Sequence, residues 1–211
     1  MHVHIARLRA TEAVTARFGG LLTRDEQERA ARFRFPHLRS SFVLARGALR
    51  ILAGGYLNTD PAGIRFQYGP KGKPCLAGAA RLRFNVSHSG ALALFAFTLD
   101  VEIGVDVEEI RPMPDLQQIA AGYFSAAEAA ELVALPAERR EAAFFRCWTR
   151  KEAYVKALGE GLSSTAPESE GWTLHDLDVP GPYAAALAYL DDPRALEVLP
   201  AVDASLLLDP G

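Results

Sequence analysis

The 211-residue chain is 49% hydrophobic and carries 23 Lys and Arg against 26 Asp and Glu, a formal net charge of -3. That apolar content is ample for a buried core in one large domain or two small ones, which excludes a disordered or fibrous chain. The longest apolar run, around 91–99, is too short to cross a bilayer, and MHVHIARLRA lacks the apolar centre of a signal peptide, so a cytoplasmic protein with no membrane partner is expected.

Taken in chain order, HVHIARL alternates like a strand, and TRDEQERAARF opens with Thr23 and Glu26 at the spacing of a helix capping box. A longer helix is predicted over 38–54, with Phe42, Leu49 and Leu52 among its apolar positions, and strands follow near 64–68, 82–86 and 91–99. EIGVDVEEI then reads as a strand, and FSAAEAAEL opens with Ser125 and Glu128 at the same capping spacing. A long helix over 138–158 and strands near 172–179 and 183–190 complete the order.

The order of elements thus repeats at an offset close to 100 residues, which predicts a pseudo-duplicated α+β protein of two halves, 1–100 and 101–211, with a ligand cleft between them. Charge divides the same way. Residues 1–100 hold 15 Lys and Arg against 6 Asp and Glu, net +9, and residues 101–211 hold 8 against 20, net -12. A basic half joined to an acidic one fits a compact polyanion on one side and a metal ion on the other; mutual attraction of the halves is the plainer alternative. Nucleic acid is disfavoured as a partner, because the acidic half would repel a long polyanion. Cys75 and Cys147 sit in no metal or redox motif and are expected to be reduced and buried.

Four stretches carry candidate chemistry. YGPKGKPCL presents Lys71 and Lys73 on a loop enforced by Gly and Pro, suited to phosphate or simply to a solvated turn. FNVSHSG sets Ser87, His88 and Ser89 between two apolar runs, more hydrogen-bonding groups than a tight turn requires. In IGVDVEE, alternation points Ile103, Val105 and Val107 inward and leaves Asp106 and Glu108 together on the other face. Two unit charges 4 Å apart repel by about 1 kcal/mol in water and about 4 kcal/mol at a surface-like effective dielectric, so a bound cation such as magnesium would relieve them; a solvated edge strand is the other reading. FFRCWTRKEAYVKALGEGL reads as a helix that places Trp148, Glu152 and Lys156 on one stripe, either an ordinary ion pair or a carboxylate followed one turn later by a phosphate-binding cation.

In order and spacing, GKP, FNVSHSG, GVDVEEI, FSAAE and the WTRKEAYVKALGEGL segment together resemble the surfactin-type (Sfp-type) 4′-phosphopantetheinyl transferases over about 22–162. The resemblance implies coenzyme A and magnesium in the cleft between pseudo-twofold halves. It further implies transfer of the phosphopantetheine arm to a serine of an apo acyl or peptidyl carrier protein, of fatty acid, polyketide or nonribosomal peptide synthesis, with release of adenosine 3′,5′-bisphosphate. By motif match, Asp106, Glu108 and Glu152 fall at metal positions, Lys156 at the essential lysine, and Lys73, Ser87 and His88 at coenzyme A contacts, with SHS as a cofactor-binding turn. Glu152 and Lys156 are the expected catalytic pair, Glu152 taking the serine proton and Lys156 answering charge on the pyrophosphate. One usual basic position of the family is Ser41 here, with Arg29, Arg32 or Arg46 as substitutes near the 3′-phosphate. A monomer is expected, since two fused halves supply their own cleft. The competing functions are a non-catalytic coenzyme A or nucleotide-binding module and a magnesium-dependent diphosphate hydrolase.

Overall fold

Alternation in HVHIAR makes β1 (His2–Arg7), in which Val3 and Ile5 are buried on one face while His2 and His4 reach Tyr56 on the other. The computed structural model describes residues 1–70, 72–78, 81–159, 171–190 and 195–208; Lys71 and the 160–162 end of the long-helix motif lie outside them. After β1 come α1 (Glu12–Gly20), α2 (Arg24–Ala31) and α3 (Pro36–Leu57), then a short hairpin of β2 (Phe66–Tyr68) and β3 (Pro74–Leu76), and β4 (Leu82–Ser89) with β5 (Leu92–Leu99). The second half repeats this plan with β6 (Ile103–Glu109), α4 (Leu116–Tyr123), α5 (Ala126–Ala134), α6 (Ala137–Leu158), β7 (Trp172–Asp176) and β8 (Tyr183–Leu190).

Local chemistry repeats with the topology. Both expected capping boxes form, Thr23 with Glu26 on α2 and Ser125 with Glu128 on α5. The long helices α3 and α6 each run 22 residues and each ends on a left-handed residue, Asn58 or Gly159. Strand order is β1-β5-β4 in the first sheet and β6-β8-β7 in the second, so each half pairs its first strand with its last and its last with its middle one. The fold is therefore α+β and pseudo-duplicated, as the repeated order of elements predicts.

Three apolar layers build the core, the middle one joining the halves. Phe18, Leu44 and Leu49 pack on Phe84, Phe95 and Phe97 between α3 and the first sheet. Val3, Ile5, Leu92 and Leu94 meet Ile103, Val105, Val107 and Leu187 between the two sheets, and Ala153 and Ala157 of α6 lie on Ala186 and Ala188 of β8. Each fully buried Leu, Val or Phe contributes about 1.5–3 kcal/mol.

The structure departs from the sequence expectations in four places. The SHS tripeptide is the end of a strand rather than a turn: Ser87, His88 and Ser89 pair with Leu94, Ala93 and Leu92 of β5, and Gly90, at φ +54°, begins the reversal. Helices α1 and α4 carry no strong periodicity and were not expected. Cys75 and Cys147 are free, as expected, but half-buried, and burial and then Glu128 push the Cys147 thiol up to about 12. The tail returns to the first half, where β9 (Glu197–Val198) and β10 (Val202–Asp203) run parallel to β1 and Ala204 joins the α3 cluster. Among the described residues, no helix is long and apolar enough to cross a membrane.

Under α3 lies a buried charge hub. Glu26, 3% exposed, accepts from Arg46 Nε at 2.6 Å, Arg50 Nε at 2.8 Å and the Thr23 N–H at 3.0 Å. Arg50, 1% exposed, also donates to the carbonyls of Pro61 and Ile64, both at 3.0 Å. Burial opposes the Glu26 charge, but the hydrogen bond from Arg50 and the charge of Arg46 prevail and hold its carboxyl below the usual glutamate range. A depressed carboxylate stabilises the fold fully above its ordinary value, 4.5, and the contribution is lost as pH falls through the folded value. Glu26→Gln is expected to cost about 3–5 kcal/mol at pH 7, because it leaves buried arginines uncompensated. In urea titrations the gap from wild type should narrow steadily below pH 4.5; a gap independent of pH would show that the charge does not contribute.

Candidate active site

The site begins with a missing side chain. Gly104 on β6 faces α6, and a Cβ there would lie 2.0 Å from the Ala153 carbonyl oxygen and 2.4 Å from the Ala157 nitrogen. Only glycine admits the helix so close, and alanines at 153, 157, 186 and 188 extend the same close packing. The face of β6 that carries Gly104 also carries Asp106 and Glu108, as alternation predicts, and α6 brings Glu152 and Lys156 onto it. Trp148, on the same stripe of α6, packs on Phe144 and Tyr123 at ring separations of 5.8 and 5.5 Å and anchors the helix beside the site.

Lys156 Nζ donates to Asp106 Oδ1 at 2.6 Å and to Ser87 Oγ at 2.9 Å, and Ser87 Oγ donates to the same Asp106 oxygen at 2.8 Å. One residue from each of β4, β6 and α6 thus meets at the junction of the halves. Asp106 is 3% exposed, and its other oxygen, Oδ2, is buried without a hydrogen-bond partner among the described residues. Burial raises the Asp106 carboxyl despite the neighbouring lysine. Burial and then the Asp106 charge also raise Glu152, and Glu108 adds to both. Desolvation and then the Lys156 ammonium hold His88, on the opposite face of β4 from Ser87, below the usual histidine range. These are hard oxygen donors with one carboxylate oxygen, Asp106 Oδ2, left over, which suits a hard divalent cation. Among the described residues, no group of three or more His, Cys, Asp or Glu side chains is placed to hold a metal ion.

Lys73 is held elsewhere in the same junction: Nζ donates to Glu102 Oε2 at 2.8 Å and to the Ala157 carbonyl, at the end of α6, at 2.6 Å. It lines a cavity of about 280 Å³ with Arg83, Glu102 and Gly159. Arg46 and Arg29 do not join the acidic cluster. Arg46 is bound to Glu26 and Tyr68 and lies 4.2 Å from the Phe66 ring centre, and Arg29 lies over Phe42 at 5.2 Å on exposed α2. Sequence reasoning missed Asn85 and gave Ser89, which it had singled out, no contact of its own; both side chains also reach β6, and their alternation with Ser87 along one strand was the available signal.

Comparison with known proteins covers nearly the whole chain. The family pattern described as the 4′-phosphopantetheinyl transferase superfamily matches residues 102–198, and that described as 4′-phosphopantetheinyl transferase, N-terminal, matches residues 9–99. The chain is 44% identical over 145 residues to the 4′-phosphopantetheinyl transferase HetI of Nostoc sp., an alignment covering 67% of this chain and 61% of the relative. It is 37% identical over 139 residues to psf-1 of Bacillus pumilus, covering 66% and 58%, and 30% identical over 147 residues to Sfp of Bacillus subtilis, covering 70% and 64%. The matched part therefore spans roughly three fifths of the length of these relatives.

Gly104→Ala is expected to destabilise the protein by about 1–3 kcal/mol through overpacking, and to move α6 away from β6. Urea denaturation with Trp148 fluorescence measures both effects; an unchanged midpoint would refute the close contact.

Proposed function

The chain belongs to the 4′-phosphopantetheinyl transferase superfamily, and from that membership we propose that it transfers the 4′-phosphopantetheine group of coenzyme A to a serine of an apo acyl or peptidyl carrier protein. The observation that carries this proposal is the meeting of Ser87, Asp106 and Lys156 beside Glu108 and Glu152, with one oxygen of Asp106 unsatisfied. Asp106 and Glu108, with Glu152 adjoining, would hold magnesium, which neutralises pyrophosphate charge as a Lewis acid when bound. Lys156 offers its ammonium to the same pyrophosphate, and Lys73, Ser87 and His88 border the space for coenzyme A. Arg29 and Arg46 remain proposed contacts for its 3′-phosphate.

In the reaction, the carrier serine oxygen attacks the phosphorus bound to pantetheine, a new P–O bond forms, and the bond to adenosine 3′,5′-bisphosphate breaks. The serine proton passes to the Glu152 carboxylate, whose raised affinity for protons suits it to accept one. Lys156 steadies the charge that gathers on the departing phosphate. The two halves supply the cleft within one chain, so the active form is proposed to be a monomer in the cytoplasm, acting without nucleic acid or membrane.

Intact mass of a purified apo carrier, after incubation with the protein, coenzyme A and magnesium, should rise by one phosphopantetheine group and stay unchanged with chelator. Lys156→Ala and Asp106→Ala should each lower turnover by about 10²–10³-fold while remaining folded. Nucleotide release without a carrier would favour a diphosphate hydrolase. Coenzyme A binding with no mass gain across several carriers would favour a binding module.

A further inference from the structure

Among the described residues, β6 has a backbone partner on one side only. All seven of its residues pair with β8, and its other edge runs beside β4 without a ladder. Three alternate side chains of β4 stand in that gap. Asn85 Oδ1 accepts the Val105 N–H at 2.9 Å. Ser87 Oγ donates to Asp106 Oδ1 at 2.8 Å. Ser89 Oγ accepts the Glu109 N–H at 3.1 Å and donates to Glu108 Oε2 at 2.8 Å. Asn85 and Ser87 are 4% and 7% exposed, so the first two contacts are shielded from water.

We propose that Asn85, Ser87 and Ser89 form a side-chain ladder that fixes the β6 carboxylates across the junction of the halves, with Ser89 as the positioning residue for Glu108. A hydroxyl has one hydrogen to give and lone pairs to receive, so Ser89 satisfies an edge amide and aims a carboxylate with the same atom. A hydrophobic residue there does neither, and among the described residues Glu108 keeps only the longer 3.4 Å contact from Arg111. The ladder itself stands independently of the proposed transferase activity; only the consequence for a cation at Glu108 rests on it.

The test compares wild type with Ser89→Ala and Ser89→Thr. Amide hydrogen exchange reads the ladder, and calorimetric titration with magnesium in the presence of coenzyme A reads the carboxylate. Ser89→Ala is expected to speed exchange of the Glu109 amide by about 5–10-fold while sparing Val105, as loss of one hydrogen bond implies. It should weaken magnesium binding by about 10–100-fold, and Ser89→Thr should restore both. Unchanged exchange at Glu109 overturns the ladder, and unchanged magnesium affinity, where wild type binds the ion, overturns the positioning role. If wild type binds no magnesium, the metal reading fails and exchange alone decides: faster Glu109 exchange sustains the ladder, and unchanged exchange removes it. Should Ser89→Ala not fold, Ser89→Cys, with its weaker donor, carries the same comparison.

Discussion

The approach of α6 to β6 at Gly104 is the constraint from which the site follows. A helix kept at ordinary distance by a side chain at that position would carry Lys156 away from Asp106, and the 2.6 Å contact between them would open. Contact at backbone distance brings four charged groups into little space. Three of them are acids, and burial drives two of those toward their protonated forms. An arrangement so poorly suited to stability is retained where chemistry requires it. Lys156 serves as the counter-charge that makes it tolerable.

The two halves use one plan to opposite electrostatic ends. In the first, the long helix α3 presents Arg46 and Arg50 to a glutamate from the preceding short helix, and the glutamate is held ionised. In the second, the equally long α6 presents Glu152 and Lys156 to carboxylates on the sheet, and burial penalises their charge. Among the described residues, no buried side-chain nitrogen or oxygen of the first cluster lacks a partner. The second has an oxygen left over and faces the junction. The same scaffold element thus carries an ion-pair clamp in one half and the candidate site in the other.

What was legible in the sequence was local. The capping boxes of α2 and α5 depend on residues three apart, and β8 falls on the expected 183–190 because YAAALAYL has clear bounds. Alternation in GVDVEE placed Asp106 and Glu108 on one face, and helical spacing brought Glu152 and Lys156 together. Contacts between distant segments were hidden. Glu26 read as a cap and is also the hub for two arginines 20 and 24 residues away. Ser87 and Ser89 exceeded the needs of a turn and were expected in a cofactor-binding one, because their partners on β6 lie 19 residues further on. The two-residue strands β9 and β10 have no pattern of their own and exist through β1.

That last pairing bears on how the protein assembles. A ribosome makes β1 long before residues 197–203, which lie parallel to it and emerge only after α6 and β8 have been made. The β1 edge is thus an open template until those residues emerge, and closing it joins segments almost 200 residues apart, a slow step by the entropy of loop closure. Nascent chains tethered before residue 197 should therefore hold a first sheet with one bare edge, the state in which this protein most needs protection from pairing with other chains.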